Sequence, residues 1–394
     1  MILKSNRIAL SSTAEIRRIP PRPSKSQQSD YKEKFDYLTL FSDAFTSGDR
    51  VLLIGPPLLN LEEPLRQSTF IWNEMDVSEK VEYESFDRMS RVSFQATKSV
   101  GTLTINGPLG RFDIKVNSAR NDLFAGESVL VTEQKNNRLE WIAYWVFFNA
   151  RINDVTSFVI YDNKSTNYSL STLEELFRRI PGVRNWVIVD CDTPYGPTGG
   201  PDQIWDSDFG QYICWEHARQ YFLRDAAACM CIDIDELPIT VSGKSIFAQL
   251  RDSGKPAMRF RRQPIVAFPS SERDQRDYRT HSDYVFGDDR GAWLNFKYAF
   301  MPNRLSQNDQ LKVHELTGEK AEAYESPETF AGHFEGIRVD WRSDQTIPVP
   351  EIKKFQDIGI PVSSVEPFRD SFGFIHAEWQ SLVAELEEVL NKQC

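Results

Sequence analysis

Two aspartates separated by one residue end an apolar stretch near the middle of the chain, and their spacing is suited to chemistry. The stretch reads Ala226-Ala-Ala-Cys-Met-Cys-Ile-Asp-Ile-Asp-Glu-Leu-Pro238. Its apolar, partly β-branched sequence and its terminating proline predict a buried strand. Because side chains alternate across a strand, Asp233 and Asp235 are expected on one face, where two carboxylates can share a hard divalent cation.

The same Asp-x-Asp spacing occurs three times in the chain. The other pairs are Asp190/Asp192 and Asp206/Asp208. Short motifs of this kind arise by chance, so a pair without any metal is the plain alternative. What distinguishes Asp233/Asp235 is that it alone ends a strongly apolar strand.

Composition excludes several classes of protein. The net charge of −11, from 46 basic and 57 acidic residues, argues against general nucleic-acid binding. The five cysteines match no zinc spacing and indicate reduced thiols in a cytoplasmic protein. No apolar run reaches the ~20 residues of a membrane span, and we predict no transmembrane segment. Peripheral contact with the inner membrane face, through the basic N-terminal residues, is left open.

We predict that the chain consists of four parts, one of which contains the elements that position the aspartates. A polar start containing Pro20-Pro21-Arg22-Pro23 predicts a flexible tail, and short strand signals predict a β-rich module after it. An amphipathic helix is expected at Ala377–Asn391, as a cap on the domain or as a dimer contact. The predicted parts are residues 1–34 (tail), 35–126 (β-rich module), 127–345 (main domain) and 346–394 (C-terminal extension).

Strands and helices alternate from Ser128 onward. Strands are predicted at Ser128–Thr132, Ser157–Tyr161 and Trp186–Val189 and before Asp233, with helical spacing between them. This alternation predicts an α/β fold with a mostly parallel sheet covered by helices on both faces. Ligands of such sheets bind at the carboxyl ends of the strands. Three of those ends carry aspartates, namely Asp162, Asp190 and the Asp233/Asp235 pair.

Two motifs in the main domain resemble those of a known family. Leu139-Glu-Trp-Ile-Ala-Tyr144, followed by Ile160-Tyr-Asp-Asn-Lys-Ser-Thr166, resembles the EWI-x-Y and YDN-x-ST signature of GT-A-type glycosyltransferases. Family 92 and family-2-like bacterial enzymes are the members that it resembles. Asn295–Pro302, Val313-His314 and Gly332-His333-Phe334 are similar to later motifs of the family. The resemblance covers about residues 127–345.

This resemblance implies a Rossmann-like GT-A fold and a metal-dependent sugar transfer. The donor would be a nucleotide-diphosphate sugar, UDP-linked, and the acceptor a saccharide in surface-glycan synthesis, with inversion at the sugar carbon. Mn²⁺ or Mg²⁺ would stabilise the leaving diphosphate as a Lewis acid. Asp235 would bind the metal directly, and Asp233 would contact the metal, its water or the ribose. A late histidine would complete the site, with His314 preferred to His333.

The resemblance also implies a donor-binding set at the strand ends. Its members would be Thr132, Glu133, Asp162, Asp190, Asp233 and Lys297. Asp162 would bind the base or ribose, and Lys297 would neutralise the diphosphate. A capped strand end is the alternative for Asp190, and a solvated lysine is the alternative for Lys297.

An inverting transfer needs a carboxylate base within reach of the acceptor hydroxyl. Asp288, Asp289 and Glu315 are the predicted bases, because they lie beyond the metal strand and the first two occupy a polar loop. For each residue the alternative is an ordinary acidic surface position.

Two other functions fit the same sequence. A nucleotidyltransferase would need a glycine-rich basic loop after the first strand, but Glu133-Gln-Lys-Asn-Asn137 contains no glycine. The alternative outside the enzymes is a non-catalytic saccharide-binding protein on a transferase-like fold. Binding of sugar without nucleotide or metal would identify it.

Overall fold

Two large β-sheets form the framework of the protein in a computed structural model, which describes residues 1–269, 278–290, 293–319, 321–339 and 361–393. The larger sheet has 11 strands and packs against the longer helices. The smaller sheet has 8 strands, all from the N-terminal part of the chain. The predicted boundary between residues 345 and 346 falls outside the described residues.

The strands, in chain order, are β1 (Ile2–Lys4), β2 (Ile8–Ala9), β3 (Thr39–Phe41), β4 (Asp43–Ser47), β5 (Arg50–Gly55), β6 (Thr69–Trp72), β7 (Met75–Asp76), β8 (Glu82–Phe86), β9 (Met89–Gln95), β10 (Gly101–Gly107), β11 (Gly110–Ser118), β12 (Ser128–Gln134), β13 (Ser157–Asp162), β14 (Asn185–Asp190), β15 (Ala228–Cys231), β16 (Glu236–Thr240), β17 (Ala257–Ile265), β18 (Phe286–Asp288), β19 (Leu294–Phe300), β20 (Gln310–Leu311), β21 (Leu316–Thr317), β22 (Ala323–Phe334) and β23 (Val362–Ser364). The α-helices are α1 (Tyr31–Lys34), α2 (Glu62–Arg66), α3 (Leu139–Ile152), α4 (Leu170–Arg179), α5 (Gly210–Tyr221), α6 (Ile246–Ser253) and α7 (Glu366–Leu390). None of the helices in the described part of the chain has the length and hydropathy of a membrane-spanning segment.

Five strands of the larger sheet are parallel, in the order β1-β14-β13-β12-β15. Side chains alternate between two cores: Leu130 packs in the core that contains α3 and α4, and Val129 and Val131 pack in the core that contains α5. Helices therefore cover both faces of this part of the sheet. Asp162 is paired in register with both Gln134 and Asp190, so the carboxyl ends of three strands are level.

The rest of the larger sheet is mixed, which corrects the prediction of a mostly parallel sheet. β19 is antiparallel to both β15 and β17, and β22 is parallel to β17 but antiparallel to β16. Antiparallel neighbours can be joined without a helical crossover. Between α6 and α7 the described residues accordingly contain no α-helix, and strand–helix alternation could not reveal the arrangement.

The first 34 residues are ordered against the rest of the protein, and the prediction of a flexible tail is wrong. β1 extends the larger sheet by pairing with β14. The side chain of Arg18 is buried and donates to the carbonyl oxygens of Asp36, Thr39 and Pro57. A charged side chain is stable in such a position because its donors are satisfied by the folded backbone.

Replacing Arg18 by alanine is therefore expected to lower the free energy of unfolding by about 2–3 kcal/mol, because buried carbonyl groups lose their donor. Arg17 is the matched control. Its side chain is exposed and donates to the nearby carbonyl oxygens of Ala14 and Ser12, so Arg17→Ala is expected to change stability by less than about 0.5 kcal/mol. Urea unfolding measures both values. Equal, negligible effects would mean that the segment is a mobile tail after all.

The predicted β-rich module forms the smaller sheet, in the order β7-β6-β10-β11-β4-β5-β9-β8. At the other end of the chain, α7 begins at Glu366, well before the predicted start at Ala377. Its buried face continues from Phe368 to Leu386, and Trp379 packs against Tyr144 of α3 with ring centroids 4.9 Å apart. The helix therefore caps the main domain, which is the first of the two roles predicted for it.

Candidate functional site

A cavity of about 290 Å³ opens where the chain leaves β12 and β15. Loops after these strands, the start of α5 and residues of β17 and β22 form its walls. The lining residues are Glu133, Asn137, Tyr195, Gln211, Asp233, Ile234, Asp235, Arg262, Val313, His314, His333, Ile337, Arg338 and Val339. Strand ends meet here because the parallel strands share one direction, as expected for α/β sheets.

Asp233 is held by two donors from different elements. Gln211 Nε2 at the start of α5 donates to Oδ1 at 2.8 Å, and Lys297 Nζ of β19 donates to Oδ2 at 2.9 Å. Burial opposes ionisation of the carboxyl group, but the charge and the hydrogen bond of Lys297, together with the charge of Arg262, outweigh that effect and lower the pKa of Asp233 to about 2. Asp233 is thus a fixed anion at the wall of the cavity.

Lys297 lies behind the cavity wall and not within it. Its side chain is completely buried and pairs with Asp233 and, at 3.2 Å, with Glu236. Glu236 is also buried and accepts from Arg262 at 2.8 Å. The four side chains form an alternating network of charges. A buried lysine requires such partners, and the ammonium group that was predicted to neutralise a diphosphate is already neutralised by protein carboxylates.

Asp235 faces a histidine across the cavity. His333 Nε2 of β22 lies 3.5 Å from Asp235 Oδ2, and ligand atoms of Asp235, Glu236 and His333 lie within 4.8 Å of one another. Burial raises the pKa of Asp235 to about 6, although His333 acts in the opposite direction. A carboxylate that is costly to ionise, beside an imidazole, suits a divalent cation because the cation would supply the missing positive charge.

His314, the histidine that the resemblance preferred as a ligand, lines the same cavity, but its hydrogen-bond partner is a backbone carbonyl group and not Asp235. Its Nδ1 lies 3.2 Å from the carbonyl oxygen of Phe296, which leaves Nε2 as the nitrogen with a lone pair. Burial lowers the pKa of His314 to about 4. In the described residues the grouped ligand atoms include His333 and not His314, so the geometry favours the histidine ranked second.

Glu133 is the predicted donor-site residue that reaches the cavity from the end of β12. Oε1 accepts from Asn163 at 2.8 Å, and Oε2 is buried without a hydrogen-bond partner among the described residues. Burial raises the pKa of Glu133 to about 8. The carboxyl group is therefore mainly protonated at neutral pH and can donate a hydrogen bond.

This raised pKa predicts a pH-dependent stability. Because the folded-state pKa exceeds the ordinary value of 4.5, the folded protein keeps a proton that the unfolded chain loses, and stability falls as pH rises from 4.5 to 8. Glu133→Gln removes that loss. We expect the variant to gain on the order of 3 kcal/mol relative to the wild type between pH 5 and pH 8, measured by urea unfolding. Glu79 is exposed, and Glu79→Gln should show no such gain. The prediction would be contradicted if the free energy of unfolding of Glu133→Gln and that of the wild type changed with pH in the same way.

Three further predicted donor-site residues lie near the strand ends without lining the described cavity. Thr132 is completely buried within β12. Asp162 is buried and accepts from the backbone N–H of Ser165 at 2.8 Å, which anchors the loop after β13. Asp190 pairs with Lys164 at 2.7 Å. These contacts organise the loops around the site, and a role in donor binding stays a prediction.

The three predicted bases do not line the first cavity in the described part of the chain. Asp288, the last residue of β18, is paired with Arg290, and the carboxylate of Asp289 accepts a hydrogen bond from the hydroxyl group of Ser363. Glu315 lines a neighbouring cavity that also includes His314. Glu315 is thus the predicted base that lines a cavity sharing a residue with the site.

Several lining residues carried no signal of their own in the sequence. Tyr195 comes from the glycine- and proline-rich loop after β14, and Asn137 comes from the loop after β12. Arg338 follows β22. Arg262 belongs to the arginine-rich strand β17 and is paired with Glu236.

Comparison with known proteins adds little to this geometry. No protein-family model and no curated protein sequence matches the chain. Among solved structures, the chain is similar to the apo structure of WbbM, a bifunctional glycosyltransferase, with 15% identity and a TM-score of 0.25. The match covers 39% of this chain and 26% of that one, so the chain spans about a quarter of its length. The cavity residues and the motifs around them are what point to a function.

Proposed function

We propose that the protein is a glycosyltransferase that uses a nucleotide-diphosphate sugar and a divalent cation. The observation that carries the proposal is the placement of Asp233, Asp235 and His333 at one cavity beside the carboxyl ends of parallel strands. Carboxylate oxygens and an imidazole nitrogen are ligands that Mn²⁺ accepts. Asp235 and His333 would hold the cation, with Asp233 beside them.

The cation would supply Lewis-acid stabilisation of the charge on the diphosphate. The chain's own residues would orient the donor. Arg338 brings positive charge to the cavity wall, and protonated Glu133 brings a hydrogen-bond donor. Gln211 and Lys297 keep Asp233 in one orientation and ionised.

The proposed reaction exchanges one carbon–oxygen bond for another. The bond between the sugar carbon and the diphosphate oxygen breaks, and its electron pair leaves with the nucleoside diphosphate. The acceptor hydroxyl oxygen bonds to that carbon, and its proton passes to a general base. Glu315 is the predicted base for this step, with Asp288 and Asp289 as the other predicted residues. A UDP-linked donor, inversion and a role in surface-glycan synthesis are parts of this proposal that come from the sequence resemblance.

Nucleotide release from a panel of UDP-, GDP-, CDP- and dTDP-sugars tests the proposal, with Mn²⁺, Mg²⁺ or excess chelator present. We expect slow hydrolysis of one donor class, dependent on the cation, and an increase in melting temperature with the same donor and Mn²⁺, because a ligand of the folded state stabilises it. No turnover and no nucleotide-dependent stabilisation would reject the proposal. If the protein bound a saccharide but showed neither turnover nor stabilisation by nucleotide, the non-catalytic alternative would be favoured.

A further inference from the structure

A second cavity, of about 550 Å³, adjoins the first and shares His314 with it. Its volume falls within the ~300–1,000 Å³ of small-molecule sites. The walls come from both large sheets, because β19 and the chain around β20 and β21 meet a hairpin of the N-terminal module here. The lining residues used below are Asp87, Arg88, Asn295, Phe296, Lys312 and Glu315.

The hairpin that contributes Asp87 and Arg88 is fixed in place. Both residues form the turn between β8 and β9, and Arg88 has a positive φ of 57°. Gln310 bonds to the backbone N–H and carbonyl of Asp87 at 3.1 and 2.7 Å. Arg88 donates to both carboxylate oxygens of Asp208 at 2.9 and 2.8 Å and lies 4.1 Å above the ring of Tyr212. The N-terminal module thus supplies a preformed wall.

The charges that face the second cavity are already balanced. Arg88 pairs with Asp208, and Lys312 pairs with Asp87 at 3.5 Å and Glu315 at 3.0 Å. Arg259, the remaining cation of the lining, pairs with Glu325 and therefore adds no unpaired charge. A cavity in which carboxylates balance the cations gives a second diphosphate no net attraction.

The chemical groups suit a neutral, polyhydroxylated molecule. Carboxylates accept hydrogen bonds from hydroxyl groups, and the Asn295 amide and the Lys312 ammonium donate them. The ring of Phe296 is half-buried, and the guanidinium groups of Arg259 and Arg261 lie 4.6 and 5.2 Å from its centroid, so the ring surface that they leave uncovered is the part that can contact the C–H face of a sugar ring. A saccharide presents both kinds of surface, and the shared His314 places such a ligand next to the proposed donor cavity.

We propose that the second cavity binds the saccharide acceptor, with the Asp87–Arg88 hairpin of the N-terminal module as part of the acceptor site. Calling the saccharide an acceptor rests on the proposed function, but saccharide binding in the cavity can be tested independently of that function. It assigns to the N-terminal module a role in recognition in addition to packing.

Saturation-transfer NMR with methyl glucosides, methyl galactosides, maltose and lactose tests binding directly. We expect the wild type to bind at least one of these saccharides, and Phe296→Ala to weaken that binding at least tenfold. Asn295→Trp offers a second variant, because Asn295 is exposed and its replacement fills the cavity from the rim. The control is Phe374→Ala, an exposed phenylalanine of α7 that lies outside this cavity. Melting temperatures identify any variant that is unfolded.

Kinetics separate this inference from the proposed function. Phe296→Ala and Asn295→Trp are expected to raise the acceptor KM at least tenfold, whereas the control Phe374→Ala is expected to leave both the acceptor KM and donor hydrolysis without acceptor unchanged. Unaltered saccharide binding in both folded variants, or no binding of any panel saccharide to the wild type, would overturn the inference. Absence of metal-dependent donor hydrolysis in the wild type would reject the proposed function alone, since the NMR result stands independently.

Discussion

Asp235→Ala is expected to reduce metal-dependent nucleotide release by about 100-fold or more, the scale seen when one electrostatic contact to a developing charge is removed. Asp235 is the carboxylate of the site that lies beside His333 and has no lysine or arginine of its own as a close partner in the described residues. Losing it would remove a direct ligand and weaken the hold on the cation. The variant should also lose the increase in melting temperature that Mn²⁺ and donor give the wild type.

The fold should survive this substitution. Burial raises the pKa of Asp235, so the folded protein gains nothing from its charge, and the melting temperature without metal should stay close to that of the wild type. Asp192→Ala is the matched control, because Asp192 belongs to another Asp-x-Asp pair and is exposed. Equal metal-dependent turnover in Asp235→Ala and the wild type would remove Asp235 from the metal site.

Lys297→Ala is expected to destabilise the protein by about 3–5 kcal/mol, the usual result of removing one partner from a buried ion pair. Asp233 and Glu236 would lose their shared ammonium group, and Glu236 would keep Arg262 as its charged partner and the backbone N–H of Asp233 as a donor. Activity should fall as well, since Asp233 would lose one of the two donors that hold it. Urea unfolding at pH 7 measures the loss, with Lys244→Ala as the control. Lys244 forms an exposed ion pair with Asp252, and such pairs contribute about 0–1 kcal/mol.

The pH dependence of the Lys297 effect distinguishes lost charge pairing from lost packing. The folded pKa of Asp233 is lowered from 3.8 to about 2, so its ionisation stabilises the folded state above pH 4, and this contribution disappears as pH falls toward 2. The difference between wild type and Lys297→Ala should therefore narrow with acidification. A difference that stays constant from pH 7 to pH 3 would mean that Lys297 contributes mainly through packing.

The parallel half of the main sheet followed from local patterns in the sequence. Four short apolar runs separated by helical spacing correspond to β12, β13, β14 and β15, because burial on both faces makes such strands continuously apolar. The predicted convergence of strand ends is visible in the level pairing of Asp162 with Asp190. The mixed half escaped prediction because antiparallel pairing leaves no comparable signature of crossover helices.

The N-terminal segment was misread for a different physical reason. A charged, proline-containing stretch is typical of disorder when its charges face water. Here Arg22 is buried, donates to Asp206 at 2.7 Å and lies 4.7 Å above the ring of Tyr31. Composition reports how many charges a segment carries, and it does not report whether a distant loop supplies their partners.

The three Asp-x-Asp pairs show what each level of information decided. The sequence by itself indicated that Asp233 and Asp235 come at the carboxyl end of a buried strand; in the structure this strand ends at Cys231, and both aspartates lie in the connection to the next strand. Tertiary structure alone decided the partners of each pair. Asp206 and Asp208 are paired with Arg22 and Arg88 of the N-terminal part, and Asp190 and Asp192 lie near Lys164.

Of the three pairs, Asp233/Asp235 is the one that lines the first cavity in the described part of the chain, and there the two carboxylates differ. Asp233 is paired with Lys297, which is 64 residues away in the chain, and Asp235 is left beside His333. Local sequence fixes the alternation of side chains along a strand, whereas the charge that each carboxylate meets depends on strands added to the sheet much later in the chain. Asp233 is ion-paired, whereas Asp235 is available for a cation, and the proposed metal site depends on this difference.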